Sequence, residues 1–176
     1  MPYTDMELPE KLPIFLQKEM VPFPYMIFPL FIDERSTKIF TAAGNYDNLV
    51  AIAFSDGDQP GDHREIGTLC RVNRMNKIAD GKYKVTMEGL SRLKIFDVDQ
   101  SGTVPMAHCE MVREFVEKGM VSDALVQSLN ALLKISLSHG KPLPDDVMKM
   151  IDYIDNPARL SDLVALYVNL PIEGLQ

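Results

Sequence analysis

The sequence predicts an α+β chain, a β-rich first part followed by a small helical bundle, on three observations. Pro22, Pro24 and Pro29 interrupt the long apolar opening and forbid a helix there. From Leu49 to Val112 the apolar residues run in short strand-like segments separated by turn residues. At about Phe115 the apolar period changes from two to 3.6, which divides the chain into a β part, 1–114, and a helical part, 115–176.

Each element follows in order. Leu12-Pro13-Ile14-Phe15-Leu16 and Met26-Ile27-Phe28-Pro29-Leu30-Phe31-Ile32 read as two short strands. Met20-Val21-Pro22-Phe23-Pro24 is the proline-locked turn between them. Asp33-Glu34-Arg35-Ser36 offers caps for a helix through Ala42-Ala43, with Gly44 expected in the left-handed position that ends it. Leu49–Phe54 is apolar throughout and short, the mark of a buried strand. A polar loop, Ser55 to Arg64, precedes a hairpin whose strands are Ile66–Val72 with Met75–Ile78, and Tyr83–Gly89, joined at Asp80-Gly81. Ser91–Val98 and Val104–Val112 add two more strands. Gly89 between two strand runs suits a bulge or bend in a closed sheet.

In the helical part, Ser122 is a candidate N-cap, Leu125, Leu129, Leu132, Leu133 and Leu137 recur as one face, and Gly140 stops the helix. A second helix is expected from Pro144 with Asp145 and Asp146 in its first turn, carrying Val147, Met150, Ile151 and Ile154. A third opens at Asn156-Pro157 and carries Leu160, Leu163, Val164 and Tyr167.

Composition narrows the function classes. The 176 residues carry a net charge of -7 and 46% hydrophobic residues, a globular balance without the basic stripe that nucleic acid demands. No apolar run reaches the roughly 18–20 residues of a membrane helix. The two cysteines, Cys70 and Cys109, form no close pair, and Met1-Pro2-Tyr3-Thr4-Asp5 lacks a leader's basic-then-apolar layout, so a reducing cytoplasm is the expected location.

The usual marks of catalysis fail one by one. Gly81-Lys82 and Gly140-Lys141 lack the upstream glycine and following hydroxyl of a phosphate loop. His63, His108 and His139 have no metal-ligand spacing. The loop Asp56-Gly57-Asp58-Gln59-Pro60-Gly61-Asp62 has Pro60 at the fifth position and Gly67 at the twelfth, where a calcium loop needs ligands. Neither Ser91 nor Ser101 is placed beside a base by the sequence. Hence no catalytic residue, metal or cofactor is expected. The eleven methionines are the softer signal, because a flexible thioether can line an adaptable surface, and Met20, Phe23, Met26 and Met75 are candidates for an exposed apolar patch.

The run from Leu12-Pro13-Ile14 through Val21-Pro22-Phe23-Pro24 to Phe28-Pro29-Leu30-Phe31-Ile32 is the first of four segments with a shared likeness. It is followed by Glu65–Val72, by Asp80–Arg92, and by Ile154–Ala165 with Leu170–Gln176. In this order and spacing they resemble the amino-terminal domain of the bacterial Lon ATP-dependent proteases over nearly the whole chain. Gln17-Lys18-Glu19 stands where relatives often carry a charged pair. The resemblance implies a PUA-like β pseudo-barrel, roughly Leu12 to Val112, then a helical bundle cut off before a long helix. It further implies capture of unfolded or damaged polypeptides, support of oligomer assembly, and ATPase and Ser-Lys protease chemistry lying in later domains.

The leading expectation is therefore a non-catalytic recognition domain that binds exposed apolar segments. Its candidate polypeptide-binding residues are Met20, Val21, Pro22, Phe23, Pro24, Met26, Phe28 and Met75, with strand addition at a sheet edge as a further mode. The alternatives are a stand-alone protein made of this domain and a purely structural module that pairs with itself or with downstream Lon domains. RNA, which other PUA-like folds bind, is disfavoured by the acidic balance, and no membrane partner is expected.

Overall fold

The computed structural model describes residues 7–57, 62–116, 119–138, 154 and 156–167. Six strands and three helices occur among them: β1 Lys11–Gln17, β2 Ile27–Ile32, α1 Thr37–Ala42, β3 Leu49–Phe54, β4 Ile66–Lys77, β5 Tyr83–Asp99, β6 Met106–Met111, α2 Met120–Ser138 and α3 Pro157–Tyr167. Chain contacts divide the molecule between Arg113 and Glu114 into two compact units.

In the first unit β1 pairs β3 in parallel, and every other pairing is antiparallel. The order β6-β1-β3-β4-β5 returns on itself through a β5–β6 pairing, so these strands close a ring. β5 makes closure possible by its length of 17 residues. Its first part, Tyr83–Glu88, pairs β2, and its last part, Leu93–Asp99, pairs β6. The two strands expected at Tyr83–Gly89 and Ser91–Val98 are thus one strand. The register steps from Leu69 opposite Ser91 to Cys70 opposite Gly89, leaving Leu90 as a bulge that turns the strand.

Two cores share β3. Leu49, Ala51 and Ala53 face the ring interior with Leu12, Ile14, Leu69, Leu90 and Leu93. Val50 and Ile52 face a second cluster with Phe28, Leu30, Phe40, Val85 and Met87. A strand covered on both sides needs no polar alternation, which is why β3 is apolar throughout. Each large side chain so buried contributes about 1.5–3 kcal/mol.

Local chemistry explains the smaller elements. Asp33 Oδ1 accepts the Ser36 N–H at 2.8 Å ahead of α1, and hydrogen bonds from Ser36 hold the Asp33 carboxyl below its usual range. α1 does not end at a left-handed Gly44. It tightens into a 3-10 turn, Ala43–Tyr46, and the left-handed residues are Asp47 and Asn48, at φ 53° and 61°. The Asn48 N–H reaches back to the Ala43 carbonyl at 2.8 Å. Asp80 and Gly81 both take positive φ in the β4–β5 turn, as the Asp-Gly pair leads one to expect.

In the second unit Asn156 caps α3, its Oδ1 accepting the Ala158 N–H at 2.9 Å. Leu133 of α2 and Leu160 of α3 form the buried contact, with Val126, Leu129, Leu163 and Val164 around it. The expected inward face of α2 is therefore rotated. Leu125 and Leu132 are exposed, at 65% and 62%, because Val126 rather than Leu125 shares the α3 side with Leu129 and Leu133. The expected Gly140 stop and the helix opening at Pro144 lie outside the described residues. No helix among the described residues is long and apolar enough to cross a membrane.

Candidate functional site

The turn between β1 and β2 is held from beneath by four polar contacts. The Gln17 side-chain amide donates to the Met20 carbonyl, and Thr68 Oγ1 of β4 donates to the Pro22 carbonyl at 2.7 Å. The Tyr25 N–H donates to the Gly89 carbonyl at 2.7 Å, and the Gly89 N–H donates to the Met26 carbonyl at 2.8 Å. Prolines lack the donor that such a loop would otherwise have to satisfy, so few bonds suffice. Gly89 is required at this contact, since a Cβ there would lie 2.2 Å from the Phe23 carbonyl oxygen.

This fixes where the expected site residues stand. Pro22, Phe23, Pro24 and Phe28 are buried, with the Arg92 guanidinium 6.0 Å from the Phe23 ring. Met20, Val21, Met26 and Met75 are half-buried, and three of them, Met20, Met26 and Met75, pack against the second core beside Phe28. A cleft of about 120 Å³ opens among Val21, Pro22, Phe23, Gly67, Thr68 and Arg92, room for a small side chain.

Directly above this turn lies an apolar row that the sequence reading passed over. Ile27 and Phe31 are 70% and 65% exposed, Tyr25 is 39% exposed, and Pro29 between them also faces solvent. β2 pairs only β5 among the described strands and is thus an edge. The signal was present: an edge strand with one wet face should alternate, yet Ile27–Ile32 is apolar on both faces, and Pro29 marks it as an edge. Tyr25 sits at φ 66°, a left-handed backbone that costs a bulky residue about 1 kcal/mol or more and is retained by its bond to Gly89.

Opposite partners extend this face across three strands. Ile27 lies beside Glu88 and Arg71, Pro29 beside Thr86 and Arg74, and Phe31 beside Lys84 and Asn76. Arg71 and Glu88 approach to 4.0 Å, and Arg74 Nε donates to Asn76 Oδ1 at 3.0 Å.

The helical unit carries a second apolar surface. Met120, Val121, Leu125, Leu132 and Ile135 of α2 are exposed, and a groove of about 710 Å³ runs between Met120, Leu125, Leu129 and Leu160.

Several other polar and titratable groups are taken up by the fold. Burial pushes the Cys70 thiol far up and Cys109 up to about 12, so neither is a thiolate at neutral pH. Ser101 Oγ donates to Asp99 at 2.6 Å, and these Ser101 bonds hold the Asp99 carboxyl below its usual range. Asp56 pairs with Arg64 at 2.8 Å. His63 and His108 stand in different elements, and no group of three His, Cys, Asp or Glu among the described residues could hold a metal ion. His139 and residues 58–61 of the acidic loop lie outside the described residues.

The family profile of the ATP-dependent protease La (LON) substrate-binding domain matches residues 11–176. The chain belongs to this family. A Lon protease of Citrifermentans bemidjiense is 52% identical over 173 residues, 96% of this chain and 22% of that protein. The Lon protease of Escherichia coli K12 is 29% identical over 94% of this chain and 22% of its own length. The chain thus spans about a fifth of the Lon proteases it matches. Among solved structures, the N-terminal domain of a Mycobacterium avium complex Lon protease superposes with a TM-score of 0.73 at 18% identity, covering 93% of this chain and 86% of that one. A Lon N-terminal domain protein from Xanthomonas campestris gives 0.55 at 17% identity, over 88% and 97%. These two likenesses show the Lon N-domain fold.

Proposed function

We propose that this Lon substrate-binding domain recognises unfolded or damaged polypeptide for degradation, without chemistry of its own, through the apolar surface around the proline turn and β2. The carrying observation is the exposure of Ile27 and Phe31, 70% and 65%, on an edge strand that pairs β5 outside the closed ring. A soluble monomer gains nothing from two such side chains in water, whereas an apolar ligand would cover them. Met20, Val21 and Met26 are the half-buried part of the rim, and Met75, also half-buried, borders it from the Leu30 side of the sheet. Pro22, Phe23, Pro24 and Phe28 act from beneath, holding the turn rather than touching the ligand. In this reading the closed ring is the PUA-like pseudo-barrel, residues 1–114 and 115–176 are separate subdomains, and ATP-driven peptide cleavage belongs to the longer cytoplasmic serine protease of which such a domain is part. Titrating the isotope-labelled chain with a permanently unfolded polypeptide is expected to shift amide signals of Tyr25–Phe31 and the Met20 and Met75 neighbourhoods, and the same polypeptide folded to shift none. No shift with either form would remove the reading.

A second reading, self-association or docking of downstream Lon domains, is favoured by α2. Val121, Leu125, Leu132 and Ile135 leave a second, exposed apolar stripe adjoining the side that carries Leu129 and Leu133, and so wide an apolar surface on a helix is normally covered. The expected result is a mass that rises with concentration and returns to that of the monomer in Leu125→Ser/Leu132→Ser. A monomer at all concentrations would leave this stripe without a role in self-pairing.

A further inference from the structure

The outer face of β2, β5 and β4 is cationic on an acidic molecule. Residues 71–88 hold Arg71, Arg74, Lys77, Lys82 and Lys84 against Asp80 and Glu88, while the whole chain has a net charge of -7. On the face itself Glu88 is taken up by Arg71, and the surplus charge is Lys84, directly opposite Phe31, and Arg74, one strand further on behind Thr86 and Pro29. Residues directly opposite across a sheet share a face, about 5 Å apart, so Lys84 borders the apolar row, and Arg74 shares its face across the width of β5, about 10 Å from β2 and within reach of an extended ligand lying over the row.

The main chain of β2 limits how a ligand can attach. The Gly89 N–H bonds the Met26 carbonyl, which sets the phase of the ladder: Phe28, Leu30 and Ile32 turn their main-chain groups toward β5, and Ile27, Pro29 and Phe31 turn theirs to the free edge. Pro29 has no N–H, so the donor row of that edge is broken at its centre. An added strand would lose its middle bond.

We infer that the face takes an extended polypeptide segment in which apolar side chains are flanked by acidic ones. The apolar groups rest on Ile27, Pro29 and Phe31, and the carboxylates reach Arg74 and Lys84. Attachment is through side chains, not by strand addition at β2. The remaining acidic surface repels such a segment, which confines it to this face. This rests on the polypeptide-recognition reading and specifies its ligand.

The test uses the whole chain and three short fluorescent peptides with one apolar core, flanked by Glu, by Gln or by Lys. At low salt the Glu peptide is expected to bind roughly threefold to tenfold tighter than the Gln peptide, and the Lys peptide more weakly than either. The gap closes toward ~1 M salt, where the screening length falls to about 3 Å. It also closes in Arg74→Gln/Lys84→Gln, read as the ratio of Glu-peptide to Gln-peptide affinity within the same variant. A Gln peptide with alternate backbone nitrogens methylated binds like its parent. Equal Glu and Gln affinities, or a gap that survives the double substitution, overturn the acidic preference while leaving recognition intact. A tenfold loss on backbone methylation overturns side-chain docking. Failure of all three peptides to bind removes the recognition reading together with this one.

Discussion

Replacing Ile27 and Phe31 together by serine is expected to weaken binding of an unfolded polypeptide about thirtyfold or more, and to leave the stability of the domain within about 0.5 kcal/mol of the parent. Both side chains project from the outward side of β2, 70% and 65% exposed, so the folded chain loses almost no packing when they are cut back. A bound segment would bury them, and large central apolar anchors carry a disproportionate share of binding energy. The comparison variant is Phe28→Ala. Phe28 is 2% exposed and faces the opposite side, among Phe40, Val85 and Met87, so its loss opens a cavity that lowers stability by about 3–5 kcal/mol. Affinity by fluorescence anisotropy and urea unfolding, measured on the same samples, separate the two effects. Undiminished binding by Ile27→Ser/Phe31→Ser would move the site away from β2.

Gly89→Ala is expected to destabilise the first unit by about 3 kcal/mol. The added methyl would stand 2.2 Å from the Phe23 carbonyl oxygen and 3.5 Å from Pro24 Cα, and these are backbone atoms that no rotamer change can move. Relief requires the proline turn to lift, which breaks the two bonds between Gly89 and the Tyr25–Met26 backbone and disturbs the Leu90 bulge beside them. Gly44→Ala is the control. Nothing lies within 4 Å of a Cβ at Gly44 and its φ is not positive, so alanine there is neutral or slightly stabilising. Urea unfolding monitored by circular dichroism reads both. A Gly89→Ala chain as stable as the parent would mean that the turn is free to ride on β5, and the rigid support argued for β2 would fall with it.

The two variants also mark what kind of information each position carries. Gly89 announced itself in the sequence as a bulge or bend between strand runs, and the bulge falls beside it at Leu90; the close approach of the Phe23 carbonyl came only with the fold. Ile27 and Phe31 did so only in part, because Pro29 and the unbroken apolar run signal an exposed apolar row without saying which residues form it. They belong to a run in which every residue is apolar, and nothing in a one-dimensional pattern says which alternate set turns outward. The methionines and the Val-Pro-Phe-Pro turn drew attention because they are unusual, yet Phe23 and Phe28 are buried, and the turn is held to Thr68 and Gly89 by the backbone of Pro22, Tyr25 and Met26. A similar ambiguity rotated α2, where Leu125 and Val126 are both apolar and adjacent, so the choice of inward face waited on α3.

Local physics was enough for the strands, the proline turn, the Asp80-Gly81 hairpin, the capped α3 and the change of period near Phe115, because each depends on residues within a few positions of one another. The motif order was enough for the family. Closure of the ring, the union of two expected strands into β5, the left-handed Asp47 and Asn48 in place of Gly44, and the outward apolar row of β2 depend on residues far apart in the chain. Strand pairing fixes which side of each strand is covered, and burial is a property of that pairing rather than of the side chain itself.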